Sequence, residues 1–386
     1  MVSLVLIGWL LVVGVQLVFI LFVFGRLAFA RHTPPGVSDA QLPPVTLVVC
    51  ARNELENLRV LLPLLLQQAY PQFEILVMDD RSTDGSDAFL EEVAAEYPQV
   101  RTIRVTQEYD HVTPKKYALT IALKKALHPI VLLTDADCRP ASDYWLRQMV
   151  AEAEGDRRDL VLGFSPYIRY PGLLNFLIRS ETLSTAVQYL SLALWGRPYM
   201  GVGRNLLYRR NLFFANRGFY SHMNVLGGDD DLFVNEVATG HNTAVSLDPD
   251  TFVWSEPKQT WAEWRRQKRR HLNVGRYYKT GDKIRLGLIS SSHILSWLLG
   301  LGAGLFALWL VVSEQQGRLL DALLLAATGL FALRLLAYWV VVGRSSYRLG
   351  HTVHWLLIPI MDLLLAIYYA LMGLRVVFTK KKKQVW

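Results

Sequence analysis

Cysteine is nearly absent: the 386 residues include only 2, Cys50 and Cys138. Each follows an apolar, strand-like run. That favours two buried free thiols over a disulfide, and a reducing compartment. Charge is also scarce. Asp, Glu, Lys and Arg make up 19% of the chain, hydrophobic residues 52%, and mean hydropathy is +0.22. An ordinary soluble protein is more polar, and a bundle of membrane helices alone carries less charge. A soluble domain with membrane segments attached fits both figures. No nucleic-acid recognition motif accompanies the net charge of +8, so nucleic acid is not an expected partner. The basic clusters, Lys380 to Lys383 and Arg265 to Arg285, suit lipid headgroups or phosphates instead.

Formal charge is missing altogether from Leu4 to Phe24, a run long enough to span a bilayer core. No positive residue precedes it and it is too long for a signal core, so Ala28-Phe29-Ala30 is not read as a cleavage site. Arg26, Arg31 and His32 follow it. The positive-inside rule then puts the N-terminus outside and the main domain in the cytoplasm, at the cell (inner) membrane. The expected organisation is an anchor over 1–30, a proline-rich linker over 31–42, an α/β domain over 43–255, an amphipathic interfacial region over 256–284, membrane segments over 285–379 and a basic tail over 380–386.

Three apolar stretches close the chain: Ile289 to Val312, Leu319 to Val342 and Val353 to Phe378. The second carries Arg334 and the third Asp362. Charges at such depths are costly and usually paired. With a loop over Gly343 to Thr352 and a rise of about 1.5 Å per residue, both residues sit roughly 12–14 Å deep, so an Arg334–Asp362 pair is expected, in a structural rather than catalytic role. Four crossings would leave Lys380 to Lys383 outside, against the positive-inside rule. Pro359 and Gly373 make the last stretch the candidate for a re-entrant or interfacial course.

Between the linker and residue 255, short apolar strands alternate with amphipathic helices. Strands are expected at Val45 to Cys50, Phe73 to Met78, Val100 to Val105 and Pro129 to Thr134, and helices at Leu55 to Gln68, Ser86 to Glu96 and Pro114 to Ala126. This alternation implies a parallel sheet covered on both faces, which binds ligands beyond the carboxyl ends of its strands. Polar motifs fall there: Ala51-Arg52-Asn53-Glu54 after the first strand, Asp79-Asp80-Arg81-Ser82-Thr83-Asp84-Gly85 after the second, and Asp135-Ala136-Asp137 after the fourth. Farther on, Gly227-Gly228-Asp229-Asp230-Asp231 opens a helical stretch, and Trp261 to Lys279 reads as a basic amphipathic helix with Trp261 and Trp264.

Taken singly, these motifs are turns and helix caps. As an ordered set they fit transfer of a sugar from a nucleotide diphosphate. Asp135 and Asp137 could hold Mg²⁺ or Mn²⁺ against the diphosphate, Asp79 and Asp80 could accept hydrogen bonds from base and ribose, and Asp230 or a neighbour could be the general base.

Val45 to Glu54, Ile75 to Ser86 and Thr134 to Cys138 resemble inverting glycosyltransferase family 2, with its GT-A fold. The resemblance covers roughly Pro43 to Gly275. It implies a nucleoside site at Asp79 and Asp80 with Ala51, Arg52 and Glu54 nearby, and Lys115 near the donor. It also implies Asp137 as principal metal ligand with Asp135 at the nucleotide, and Asp230 as acceptor base, or Asp229 if the alignment slides by one. Gln267-Lys268-Arg269-Arg270-His271 is similar to the Q/R-x-x-R-W motif of the membrane-integrated branch, which includes ceramide glucosyltransferase and the cellulose, chitin and hyaluronan synthases. There it binds donor diphosphate or acceptor; here His271 replaces the Trp. The resemblance implies inverting transfer from a nucleotide-sugar donor, UDP-linked, to a lipid or glycan acceptor among membrane lipids. A processive polysaccharide synthase is the alternative. Gly201 to Asn205 is a candidate acceptor or lid loop.

Overall fold

The structure, a computed structural model, describes residues 2–31, 36–110, 112–155, 157–312 and 318–378. Two compact units divide the chain. One comprises residues 30–279 with the link Arg348–Thr352; the other comprises the rest. The N-terminal helix α1 (Val2–Val18) continues through a π-helical stretch, Phe19–Phe24, into α2 (Gly25–Ala28).

The α/β unit begins with β1 (Val45–Ala51), α3 (Leu55–Leu66), β2 (Phe73–Asp80), α4 (Ser86–Glu96), β3 (Val100–Val105), α5 (Pro114–Lys125) and β4 (Ile130–Asp135), each within a residue or two of expectation. These four strands form the parallel half of a sheet ordered β3-β2-β1-β4-β7-β6-β8. The less regular second half supplies β5 (Cys138–Pro140), α6 (Trp145–Gly155), β6 (Leu160–Leu162), α7 (Leu173–Leu194), β7 (Leu206–Arg209), α8 (Arg210–Ala215), α9 (Asp231–Val237), β8 (Thr243–Val245), β9 (Val253–Ser255) and α10 (Trp261–Val274). In it β7 runs antiparallel to both β4 and β6, while β6 and β8 are parallel, so the sheet is mainly parallel. A second small sheet pairs β5 with β9.

Leu47 and Val49 of β1, Ile75 and Val77 of β2, and Ile130 and Leu132 of β4 pack with Leu58, Leu61, Leu62 and Leu65 of α3. Burying such side chains stabilises the sheet by about 1.5–3 kcal/mol each. One buried acid in this core is fully partnered: Glu74 accepts from Thr46 Oγ1 at 2.6 Å and from the Leu127 N–H at 2.6 Å, and pairs with Arg101.

Two expectations for the basic helix are corrected. α10 ends at Val274 and gives way to a 3₁₀ turn, Gly275–Tyr277, instead of reaching Lys279. Trp264 is only 4% exposed, against 43% for Trp261, so one of the two tryptophans belongs to the core.

In the second unit, α11 (Thr280–Val312), α12 (Arg318–Arg348) and α13 (Ile358–Phe378) follow. Among the described residues, four helical segments are long and apolar enough to cross a membrane: Ser3–Ala28, Thr280–Ala307, Leu320–Arg348 and Trp355–Gly373. α12 overruns its expected end and α13 starts later, so the expected loop from Gly343 is helical as far as Arg348. No re-entrant break forms at Pro359 or Gly373. Pro359 sits in the first turn of α13, where its missing N–H breaks no bond, and the helix continues through Gly373. Lys380 to Lys383 lie outside the described residues.

The expected intramembrane pair forms despite these shifted helix ends. Arg334 grips Asp362 with both terminal nitrogens, through Nη1 to Oδ2 and through Nη2 to Oδ1 at 3.0 Å. His293 Nε2 lies 2.9 Å from Oδ1, and Trp297 Nε1 donates to Oδ2 at 3.0 Å. Arg334 also donates to Gln16 Oε1 at 3.2 Å, so α1, α11, α12 and α13 meet at one carboxylate.

Candidate active site

The loops after β1 and β2 are stitched together. The Asn53 N–H donates to Ser82 Oγ at 2.9 Å, and Asn53 Oδ1 accepts from the Thr83 N–H at 2.8 Å. Asp84 accepts from the Leu55 N–H at 3.0 Å and the Ser86 N–H at 3.1 Å. One carboxylate therefore serves the first turns of both α3 and α4, and the bonds from Ser86 and Leu55 hold it below the usual Asp range. Arg81 takes a left-handed φ of 59° and donates Nε to Asp80 Oδ1 at 2.9 Å. Asp79 accepts from the Ser82 N–H at 3.1 Å through Oδ1, while its buried Oδ2 has no hydrogen bond and lies 3.6 Å from Arg104 Nε. Ala51 is buried and Arg52 exposed. Glu54 is half-buried and accepts from Asn57 Nδ2 at 2.6 Å. Burial raises its proton affinity against that bond, and the charge of Asp137 adds to the rise.

At the end of β4, carboxylate oxygens of Asp135 and Asp137 and the Cys138 sulfur lie within 4.8 Å of one another. Burial pushes the Cys138 thiol up, and hard divalent cations prefer carboxylate oxygen to sulfur. Two carboxylates remain, an oxygen set suited to Mg²⁺ or Mn²⁺. Burial, with the neighbouring Asp135, pushes Asp137 above the usual Asp range. Lys115, in the first turn of α5, bridges Asp135 Oδ1 at 2.8 Å and Asp229 Oδ2 at 3.3 Å. Burial works against its charge, but the two acids more than offset that and raise its pKa well above the ordinary lysine value.

Asp229 follows two glycines with left-handed φ, Gly227 at 82° and Gly228 at 77°. A Cβ on Gly228 would lie 2.5 Å from Leu232 Cδ1, so any larger residue would displace Leu232 and strain the left-handed turn. Burial, the largest single influence, pushes Asp229 up, but Lys115, backbone hydrogen bonding and Lys116 together outweigh it and the net shift is downward. Asp230 behaves oppositely: burial and the Asp229 charge raise it above the usual range. Its Oδ2 accepts from the Gly203 N–H at 2.8 Å and its Oδ1 from the Asp231 N–H at 2.7 Å. Gly201 to Asn205, the candidate acceptor or lid loop, thus holds Asp230 through Gly203. Asp231, raised well above the usual range by burial and Asp230, accepts from the Tyr278 hydroxyl at 2.8 Å.

Gln267 of α10 donates Nε2 to the Tyr167 hydroxyl at 3.2 Å, and the Arg204 guanidinium stacks 4.5 Å from the same ring. Arg270 is exposed, with its stem near Gly227, where a Cβ would lie 3.5 Å from Arg270 Cγ. His271 is exposed and has no described hydrogen bond. Lys115, Asp135, Asp229 and Asp230 are therefore brought together directly. Gln267 reaches the site through Tyr167, and Arg52 and His271 face solvent.

Sequence reasoning missed Tyr167, Tyr278 and Lys116. Lys116 is fully buried and donates to the carbonyls of His222 at 2.6 Å and Val225 at 2.8 Å, holding the loop that leads into Gly227. Burial lowers its pKa to about 8. Nothing local marks these residues, because their partners lie far away in the chain.

Residues 46–215 match the model of the family described as Glycosyl transferase family 2. A beta-monoglucosyldiacylglycerol synthase from a Nostoc species is 30% identical over 146 residues, which is 37% of this chain and 30% of that protein. Glycosyltransferase AglE of Haloferax volcanii is 27% identical over 124 residues, 32% of this chain and 39% of that protein. The chain thus spans about a third of the length of these curated relatives. Among solved structures, a mannosyltransferase from Pyrobaculum calidifontis, in complex with GDP-Man and Mn²⁺, shares the fold. It has a TM-score of 0.57 and 19% identity, covering 91% of this chain and 99% of that one.

Proposed function

We propose that this chain, which carries a glycosyl transferase family 2 domain over residues 46–215, is a membrane-attached glycosyltransferase. It moves a sugar from a nucleotide diphosphate, UDP by preference, to a lipid or lipid-linked acceptor at the cytoplasmic face. The observation that carries the reading is Lys115, which holds Asp135 of β4 and Asp229 of the acid loop at 2.8 and 3.3 Å and so gathers acids from remote segments at the carboxyl edge of the sheet. The glycolipid synthase among the relatives and the four candidate spans support a lipid acceptor.

In this reading Asp79 and Asp80 receive the nucleoside beside Ala51, Arg52 and Glu54. Asp137 and Asp135 would hold Mg²⁺ or Mn²⁺, which when bound neutralises the departing diphosphate. Lys115 and Arg270 add positive charge there. Asp230 is the base. Its raised proton affinity suits it to take the acceptor hydroxyl proton, whereas Lys115 keeps Asp229 ionised and occupied. The acceptor oxygen then bonds to the anomeric carbon while the bond to the diphosphate oxygen breaks, with inversion. Gln267, Arg270 and His271 line the acceptor or diphosphate side.

The test is purified full-length protein incubated with a panel of labelled nucleotide sugars, Mn²⁺ or Mg²⁺, and lipid extract. One labelled lipid product is expected, abolished in Asp137→Asn while that variant melts like the wild type. No transfer from any donor, or unchanged turnover in Asp137→Asn, refutes the reading, and a ladder of polymer refutes single transfer.

A further inference from the structure

Away from the acid cluster, the α/β unit contains a cavity of about 420 Å³ lined by Arg169, Tyr170, Pro171, Gly172, Phe176 and Arg179. Its chemistry is lopsided. Arg179 is only 8% exposed and has no carboxylate partner: Nε donates to Asn175 Oδ1 at 2.9 Å and Nη1 to the Thr352 carbonyl at 2.5 Å. No described hydrogen bond uses its Nη2. Arg169 is exposed and forms no described ion pair. The two guanidiniums are close enough that Arg169, after burial, lowers the pKa of Arg179. Two guanidiniums that repel each other across one cavity would both be stabilised by an anion between them.

A helix end adds to the same field. Gly172 is the N-cap of α7, which runs for 22 residues, and no side chain caps its first turn. That end carries unpaired N–H groups and about half a positive charge. No acid is among the described lining residues, and the Tyr170 hydroxyl donates outward to Glu256 at 3.1 Å. The walls are apolar or aromatic, and Leu173, 60% exposed, and Tyr170, 40% exposed, sit beside the cavity in sequence. A cationic floor with apolar surroundings complements an anionic headgroup with acyl chains attached. Thr352, which Arg179 holds, belongs to the link between α12 and α13. Links between spanning helices lie at a bilayer surface, where such headgroups are.

We propose that Arg169 and Arg179, with the N-terminus of α7, bind the phosphate of an anionic phospholipid from the surrounding bilayer. None of the cavity's lining residues is among the donor-site acids or Lys115 described above. Arg179 grips the phosphate from the floor, Arg169 closes over it, and Tyr170 and Phe176 cover the glycerol and upper acyl chain.

The test measures binding, not turnover. Full-length protein in amphipol is titrated with dihexanoyl phosphatidylglycerol, dihexanoyl phosphatidylcholine and inorganic phosphate, and followed by calorimetry. The phosphatidylglycerol is expected to bind, weakening as salt rises, with phosphatidylcholine at least about tenfold weaker. Arg169→Glu, at an exposed position, should melt like the wild type and weaken phosphatidylglycerol binding about tenfold or more. Arg179→Lys, which keeps the buried charge but loses the fork, should weaken it less. Equal affinity for the two lipids, or an unchanged affinity in Arg169→Glu, overturns the proposal. Inorganic phosphate displacing the lipid at equal concentration also overturns it, by assigning the site to free phosphate.

Discussion

Two carboxylate clusters, one in each unit, are built on opposite terms. Asp362 is saturated: Arg334 takes both oxygens, and His293 and Trp297 share them. The acids at the strand edge of the α/β unit have only partial partners. Lys115 spans Asp135 and Asp229, Asp137 and Asp230 are raised by burial and by neighbouring acids, and Asp79 keeps a buried oxygen without a hydrogen bond. A saturated acid in an apolar bundle fixes helix positions; an unsaturated set at a strand edge is ready for a cation and a substrate.

The largest effect should come from the unsaturated set. Asp230→Asn is expected to lower kcat about 10²- to 10⁴-fold with little change in melting temperature. Asp229→Asn should weaken Lys115 positioning without removing the base. If Asp229→Asn is the more damaging in kcat, the assignment of the two acids is reversed. In the wild type, kcat should fall as pH drops through an apparent pKa above the ordinary Asp value, because burial and Asp229 favour the protonated, inactive form of Asp230.

Next comes the saturated acid. Asp362→Ala leaves Arg334 buried and unpaired, at a cost of about 3–5 kcal/mol, read as a lower melting temperature in detergent. The double variant Arg334→Met/Asp362→Leu should recover most of that loss. Failure to recover would mean that the pair contributes more than a fixed helix arrangement, and the contrast between the clusters would not hold.

Lys116 gives a smaller, pH-dependent effect. Its folded pKa of about 8 lies below the ordinary lysine value of 10.5, so between those values the unfolded chain binds more protons and stability rises with pH. The charged form costs stability at pH 7, and that cost is relieved as pH climbs toward 10.5. Relative to Lys116→Met, the wild type should gain up to roughly 3 kcal/mol across this window in thermal melts, and a flat difference would show that the amine is not desolvated. The smallest effect is at Tyr278→Phe. Losing the hydroxyl bond to Asp231 should cost about 1 kcal/mol and change kcat less than tenfold.

The parallel half of the sheet was legible because each strand is a short apolar run and each helix repeats its leucines at helical spacing, as in α3. The strand-end acids followed from the rule that such sheets bind at their carboxyl edge. The Arg334–Asp362 pair was also legible, since two charges in hydrocarbon have few alternatives. The second half of the sheet was not. β6, β7 and β8 are three or four residues long, too short for periodicity to show, and β7 reverses direction where the alternation has lapsed. Nor were Lys116, Tyr167 and Tyr278, whose partners are His222, Gln267 and Asp231.

The sequence by itself determined the kind of molecule: an α/β domain with acids at three strand ends, and apolar helices with one ion pair among them. Periodicity and the cost of burying charge are local properties, readable residue by residue. Only the tertiary structure decided which of Asp229 and Asp230 is held by a lysine and which has raised proton affinity. It alone showed that Gly203 fixes Asp230 through a backbone N–H, and that two arginines share a cavity with no carboxylate among its described lining residues. A carboxylate's proton affinity is set by the field of everything around it, and that field does not exist until remote segments of the chain have come together.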